Sequence, residues 1–278
     1  MAPEAGVRVL RDPAGLVGLG LVAALAVAGA LGPALAPFDP TAADLASAYR
    51  APDTAHWLGT DEVGRDILSR LLHGARLSLL TGIVAVAVAL ALGLPIGLAA
   101  GWVGRGVDVL LTGVIDVLLA FPTLLLAILI VTVLGVGAGS AMLAVGLSSV
   151  PVFARLVRAS TLAIRQLEYV AAARAAGAGA GAILIRHVLP NALSPLIVQS
   201  TIRTATALLT AAGLGFLGLG AQPPAAEWGL MLSQGRAYLQ AAPHIVLFPS
   251  LAIMLAILAF HLVGDALNDA LNPRLARR

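Results

Sequence analysis

The chain has 278 residues, of which 59% are apolar and 11% charged, with a formal net charge of +3. A soluble domain carries about 25% charged residues, so most of this chain is suited to lipid rather than water. It has no Cys and no Lys, all 17 basic residues being Arg, which excludes disulfides, thiolate chemistry, a lysine Schiff base and a Walker A phosphate loop of its own.

A helix crossing a hydrocarbon core needs about 20 apolar residues. Six stretches qualify, at roughly 14–36, 77–101, 107–134, 138–158, 192–219 and 244–266. The first follows Arg8 and Arg11 and ends in Ala34-Leu35-Ala36, which resembles a signal-peptidase site. The apolar run is longer than a signal-peptide core, and Pro37 would sit just after the cut, so the segment is expected to remain as an anchor. Residues 1–75 then form an anchor helix plus an outer loop, and residues 76–278 the main transmembrane domain.

The outer loop carries six acids, and Asp61, Glu62, Arg65 and Asp66 crowd its end. The expectation is a solvated turn leading into a surface helix on the membrane before span two. Thr60 is the candidate N-cap, which places acids in the first turn where the helix dipole favours them. Capture of a metal or substrate by this cluster is the alternative. In span three, Pro122 follows Phe121 and is expected to bend the helix.

Ionisable groups inside spans are functional candidates. Asp116 lies about nine residues into span three and Arg203 about ten residues into span five, counted from the same membrane face, which puts both roughly 14–15 Å deep. Both are expected to face the interior, where they could pair and line a translocation path. A purely structural pair, or separate partners on another subunit, is the alternative.

Orientation follows the Arg distribution. With the N-terminus cytoplasmic, the inside holds Arg8, Arg11, Arg105, Arg155, Arg158, Arg165, Arg174, Arg186, Arg274, Arg277 and Arg278. The outside holds Arg50, Arg65, Arg70, Arg76 and Arg236. This excess places both termini in the cytoplasm. It puts the stretch "EYVAAARAAGAGAGAILIRHVLPNALSPL", residues 168–196, on the cytoplasmic side between spans four and five. Ala171, Ala172, Ala173, Ala175 and Ala176 are strong helix formers with almost no bulk. Gly177 can take the left-handed conformation that stops a helix. A second short helix can run to Leu189, and Pro190 suits the first turn of span five. The expected product is a small, smooth knob that another protein's groove could approach closely, with Arg174 offering a charged contact. An ordinary connecting loop is the alternative.

Three other patterns have plainer explanations. Gly213-Leu214-Gly215-Phe216-Leu217-Gly218 spells a dinucleotide fingerprint but ends a membrane span, so its glycines are expected to serve close helix packing. His261 and Asp265 stand one turn apart and are expected to hydrogen-bond; two such ligands are too few to hold a metal. Trp57, Trp102 and Trp228 fall near expected membrane interfaces.

The 168–196 stretch also resembles the cytoplasmic signature of the permease subunits of ABC importers: Glu-Ala-Ala, three residues, Gly, nine residues, Ile, any residue, Leu-Pro. Ala172-Ala173, Gly177 and Leu189-Pro190 match. Ala171 replaces the Glu, and His187 replaces the Ile. "RHVLPN" (186–191) is similar to the dipeptide/oligopeptide/nickel branch, as are "HWLGTDEVGRDILSRLLHGARLSLL" (56–80), "FLGLGAQPPAAEWGLML" (216–232) and "GDALNDALNPR" (264–274). The resemblance covers almost the whole chain.

It implies an all-α membrane protein of six transmembrane helices with the type I ABC importer permease fold, multi-pass in the cell inner membrane. It implies a second homologous permease, commonly in a heterodimer, two cytoplasmic ATPase subunits and an extracytoplasmic substrate-binding protein, with lipid around and no nucleic acid. The 168–177 helix would couple to the ATPase through Glu168, Tyr169, Val170, Ala171, Ala172, Ala173, Arg174 and Gly177. With no Glu at 171, that docking would rest on shape, backbone, Tyr169 and Arg174. No catalytic residue, metal or cofactor is implied. Di- or oligopeptides are the leading substrates, with nickel or other small solutes as alternatives. A stand-alone secondary transporter would instead show a carboxylate relay or repeated halves. A membrane enzyme would show a cluster of reactive side chains at one face.

Overall fold

A computed structural model describes residues 9–10 and 12–271. The helices are α1 (Pro13–Leu35), α2 (Ile67–Val103), α3 (Arg105–Leu119), α4 (Thr123–Leu134), α5 (Ala138–Ile164), α6 (Glu168–Ala175), α7 (Ala180–Ile183), α8 (Leu189–Phe216), α9 (Trp228–Gly235) and α10 (His244–Leu271). Among the described residues there is no strand, only an isolated bridge between Thr60 and Asp66. Of the residues used for the orientation count, Arg8, Arg11, Arg274, Arg277 and Arg278 lie outside the described residues.

Among the described residues, five helices are long and apolar enough to cross a membrane, and six spans result if the bent pair α3–α4 counts as one. That pair departs most from the sequence expectation. The run 107–134 is not one kinked helix but two, meeting at 97°. Pro122 has no N–H to continue the ladder, and its ring disfavours a helical conformation at Phe121. The chain therefore breaks at residues 120–122 and restarts at Thr123.

Span two also differs. No separate surface helix precedes it: α2 is one helix of 37 residues, about 55 Å long. A hydrocarbon core is about 30 Å thick, so α2 projects beyond it. The expected domain boundary at 75/76 falls inside this helix. The N-cap of α2 is Asp66, which accepts from Ser69 N at 2.8 Å, not Thr60. At the other end of the bundle, α7, a π turn (Leu184–Val188) and α8 form one continuous apolar helix, Ala180–Phe216. The π turn closes with Leu189 N donating to Leu184 O, a wide turn that accommodates the missing N–H of Pro190.

The most extensive helix interface joins α2 to α5. Its cause is a row of small residues one turn apart. A Cβ on Gly97 would lie 2.5 Å from Ala154 O, and one on Gly101 would lie 2.7 Å from Thr161 Cβ. The two backbones touch where any side chain would hold them apart, the usual route to helix association in lipid. The anchor α1 packs likewise, Gly18 against Leu262 of α10 and Gly32 against Leu72 O of α2.

Two apolar clusters occupy opposite ends of α2. One gathers Phe153, Val157, Ile164, Val170, Ile183 and Val188 near its C-terminus. The other gathers Ile67, Leu79, Leu208, Trp228, Met231 and Ile245 near its N-terminus. They define a knob end, beneath α6, and a loop end, beneath residues 37–66.

Candidate functional site

The knob is built as its residues dictate. Helix α6 has Glu168 in its first turn and Arg174 in its last, both favourable to the helix dipole. It stops in a paired-bond cap: Gly177 N donates to Arg174 O at 3.0 Å, and Ala178 N donates to Ala173 O at 3.0 Å. That arrangement needs a residue with positive φ, and Gly177 supplies it at +84°.

Three contacts hold the knob to the bundle. Val170 is wholly buried in the apolar cluster. The Arg174 guanidinium lies 5.6 Å from the centre of the Trp102 ring, at the end of α2. Asn191 Nδ2, at the start of α8, donates to Tyr169 Oη at 3.2 Å, and the Tyr169 and His187 rings lie 5.8 Å apart. The expected docking set thus divides. Val170 faces inward as an anchor, Ala173 is half-buried, and Glu168, Tyr169, Ala171, Ala172, Arg174 and Gly177 are exposed.

Beside the knob, α3 is tied to α5 by two ion pairs. Arg158 grips Asp108 through Nε at 2.5 Å and Nη2 at 2.8 Å, while Thr112 Oγ1 donates to the same carboxylate at 3.1 Å. One turn before the 97° break, Asp116 accepts from Arg155 Nη2. The sequence leads one to expect that Arg203 could pair with Asp116, with separate partners as the alternative. The structure corrects this, because Arg203 sits half-buried on α8 and forms no ion pair among the described residues. Arg155 was missed because the sequence assigns it to the end of a span, where it reads as an orientation signal.

The type of bundle and these charges are accompanied by a direct match. The family model described as the binding-protein-dependent transport system inner membrane component matches residues 93–277. The chain belongs to this family. A second family model, the N-terminal TM domain of oligopeptide transport permease C, matches residues 4–52. The dipeptide transport system permease protein DppC of Alkalihalophilus pseudofirmus is 44% identical over 272 residues, covering 98% of this chain and 90% of that protein. The glutathione transport system permease protein GsiD of Pectobacterium atrosepticum is 49% identical over 224 residues, covering 81% and 74%. Among solved structures, the inward-facing MetNI methionine ABC transporter aligns at a TM-score of 0.59 with 21% identity, over 73% of this chain and 96% of that one. An amino acid ABC transporter solved with histidines aligns at 0.55 and 16% identity, over 70% and 91%. These last two speak for the fold alone, that of a type I importer permease. The chain is a multi-pass inner-membrane subunit of an ATP-driven importer.

At the loop end of this permease, the charged cluster expected to be solvated is buried. Asp61 is 3% exposed, Asp66 3% and Arg70 1%. Arg65 donates from Nε to Asp61 at 2.6 Å and from Nη2 to Glu62 at 2.9 Å. Arg70 Nε lies 3.4 Å from Asp61, and its other nitrogens reach Pro40 O and Ala225 O. His56 Nδ1 meets Asp66 at 2.9 Å, and Thr60 O is 3.2 Å from His244 Nε2 of α10. The cluster uses its charges internally to fold the loop back on the bundle, leaving no open ligand set.

The remaining patterns resolve plainly. A Cβ on Gly215 would lie 2.6 Å from Glu227 Oε2 and 3.1 Å from Gly229, so the glycine-rich end of α8 is a packing surface for α9. Glu227 caps α9, accepting from Gly229 N at 2.9 Å and Leu230 N at 2.8 Å. Trp228 is buried, with Nε1 donating to Leu71 O at 3.0 Å, and is not an interface belt residue. No hydrogen bond joins His261 to Asp265 among the described residues, so that expected pair does not form; both are exposed on α10.

Proposed function

We propose that this permease carries short peptides inward, and that α6 transmits the ATPase cycle to the membrane path. The observation that carries this reading is the construction of α6: an exposed alanine face backed by a buried valine, ended by a glycine cap, and joined to both α2 and α8. A helix so mounted moves its neighbours when something grips its outer face. Glu168, Tyr169, Ala171, Ala172, Arg174 and Gly177 form the face offered to an ATPase subunit. The loss of the signature Glu at Ala171 makes this contact one of shape and backbone. The knob end and both termini are then cytoplasmic, and the loop end meets the substrate-binding protein. A second homologous permease completes the path, with two ATPase subunits below. The segment before α2 acts as anchor and loop, and the bundle from α2 onward as the conducting domain, with Asp116 and Arg203 facing the path. Peptides are favoured because relatives 44–49% identical over long stretches are named for dipeptide and glutathione transport; nickel and other small solutes are the competing cargoes.

The test is assembly and transport. Replacing Gly177 by Val puts a branched side chain where φ is positive and disrupts the cap. The permease is expected to reach the membrane but to lose co-purifying ATPase subunits and peptide-stimulated ATP hydrolysis. Undiminished co-purification would remove α6 from the coupling role. Uptake by the chain alone, in liposomes without ATP, would instead make it a secondary transporter.

A further inference from the structure

The two ion pairs between α3 and α5 differ in a way that assigns them different work. Asp108–Arg158 is closed: two guanidinium nitrogens and a threonine hydroxyl occupy the carboxylate, and the side chains are 24% and 28% exposed. Asp116–Arg155 is open: it is a single contact through one nitrogen and one oxygen, and the side chains are 54% and 56% exposed. The other Asp116 oxygen and the remaining Arg155 nitrogens have no protein partner among the described residues. A carboxylate and a guanidinium left open within apolar helices are costly against lipid and are found facing protein or water. The chain breaks at residues 120–122, one turn beyond Asp116, and Ala120, four residues on at the C-cap of α3, is exposed and too small to cover the pair.

We propose that Asp116 and Arg155 together form a binding site for a zwitterionic ligand, the free ammonium and free carboxylate of a short peptide. This rests on the reading that the open α3–α5 face lines the translocation path. Asp116 takes the ammonium, and Arg155 takes the carboxylate with its planar fork of N–H donors. The exchange is electrically neutral throughout. One ion pair opens as two form, so no charge is left uncompensated at low dielectric, where such a charge is most costly. On release the two side chains re-pair. A peptide capped at both ends offers no such exchange and gains nothing at this site. The cargo's two termini, rather than its side chains, are what the permease itself reads.

The chain contains no Cys, so a single reporter can be placed on it. Ala120→Cys, one turn from Asp116, is introduced into the complete transporter with the partner subunits' own cysteines replaced. Labelling by a charged, water-soluble methanethiosulfonate is followed without peptide, with dialanine, and with dialanine acetylated and amidated at its ends. The expected result is labelling that dialanine at about ten times its dissociation constant slows roughly tenfold, as occupancy of a single site gives, and that the capped peptide leaves unchanged. Asp116→Asn or Arg155→Gln in the same reporter abolishes the protection, and Arg155→Lys retains part of it. No labelling at all overturns the path reading and this inference together. Labelling that neither peptide slows, or that both slow equally, overturns the inference and leaves the path reading standing.

Discussion

Both ends of α2 carry arginines and acids, and the two ends treat them oppositely. At the loop end, Asp61, Arg65, Asp66 and Arg70 are removed from water and hydrogen-bonded to one another, to backbone and to residues as distant as Ala225. At the knob end, Glu168, Arg174 and Tyr169 remain exposed, and one buried valine, one cation–π contact and one side-chain hydrogen bond hold α6 in place. A buried ionic network has few alternative arrangements, because any partial opening strands a charge at low dielectric. A small helix held by a few local contacts is under fewer such constraints. The loop end is a clamp, and the knob end is lightly held.

Breaking the clamp should have the largest effect. Asp61→Ala strands Arg65 and Arg70 without their shared carboxylate, and removing one partner of a buried pair costs about 3–5 kcal/mol. The expectation is a marked fall in the thermal unfolding midpoint of the detergent-purified transporter; an unchanged midpoint would mean the cluster is solvated after all. At the knob, Val170→Ala removes two buried methyl groups, worth about 2 kcal/mol locally. It should weaken coupling, seen as ATP hydrolysis no longer stimulated by substrate, and barely move the midpoint. An equal midpoint loss in both variants would erase the distinction between the two ends.

The third prediction concerns pH. Burial holds the Glu227 carboxyl above the usual glutamate range, against backbone N–H bonds from Gly229 and Leu230 that pull it down. The folded state then binds this proton more readily than the unfolded chain does. The resulting stability is fully present below the ordinary value of about 4.3 and is lost as pH rises through the raised one. Glu227→Gln, whose amide oxygen can still cap α9, should flatten that decline in a midpoint-against-pH series. The smallest effect is expected for Arg174→Gln, which loses a surface cation–π contact of about 0.5–1 kcal/mol. Slightly faster hydrogen exchange in α6, with the loop end unaffected, is the signature to measure.

Hydropathy made the long apolar helices legible, since about 20 uncharged residues in a row have few other uses. The alanine run and Gly177 likewise announced a short helix with a glycine stop, and α6 spans Glu168–Ala175 as that pattern requires. The same averaging concealed the break in 107–134: apolar composition is continuous there while the backbone turns by 97°. It also concealed the loop end, because a dense run of charges resembles a solvated turn until its partners are known. Those partners are residues such as Pro40, Ala225 and His244. Gly97 and Gly101, one turn apart on α2, were a usable signal for the α2–α5 contact, though spacing alone does not name the facing helix.

By itself the sequence determined the solvent of this protein, the number of its apolar segments, its lack of any phosphate-binding lysine and the form of the short helix α6. These follow from composition and from contacts within a few residues, where side-chain chemistry and backbone geometry act directly. Only the tertiary structure decided that Val170 faces inward, that Asp116 meets Arg155 rather than Arg203, and that Asp61 and Asp66 of the loop end are buried. Each of those outcomes depends on which surfaces meet across tens of residues. A charge is stabilised or penalised by whatever partner and dielectric it meets there, whatever its neighbours in the chain.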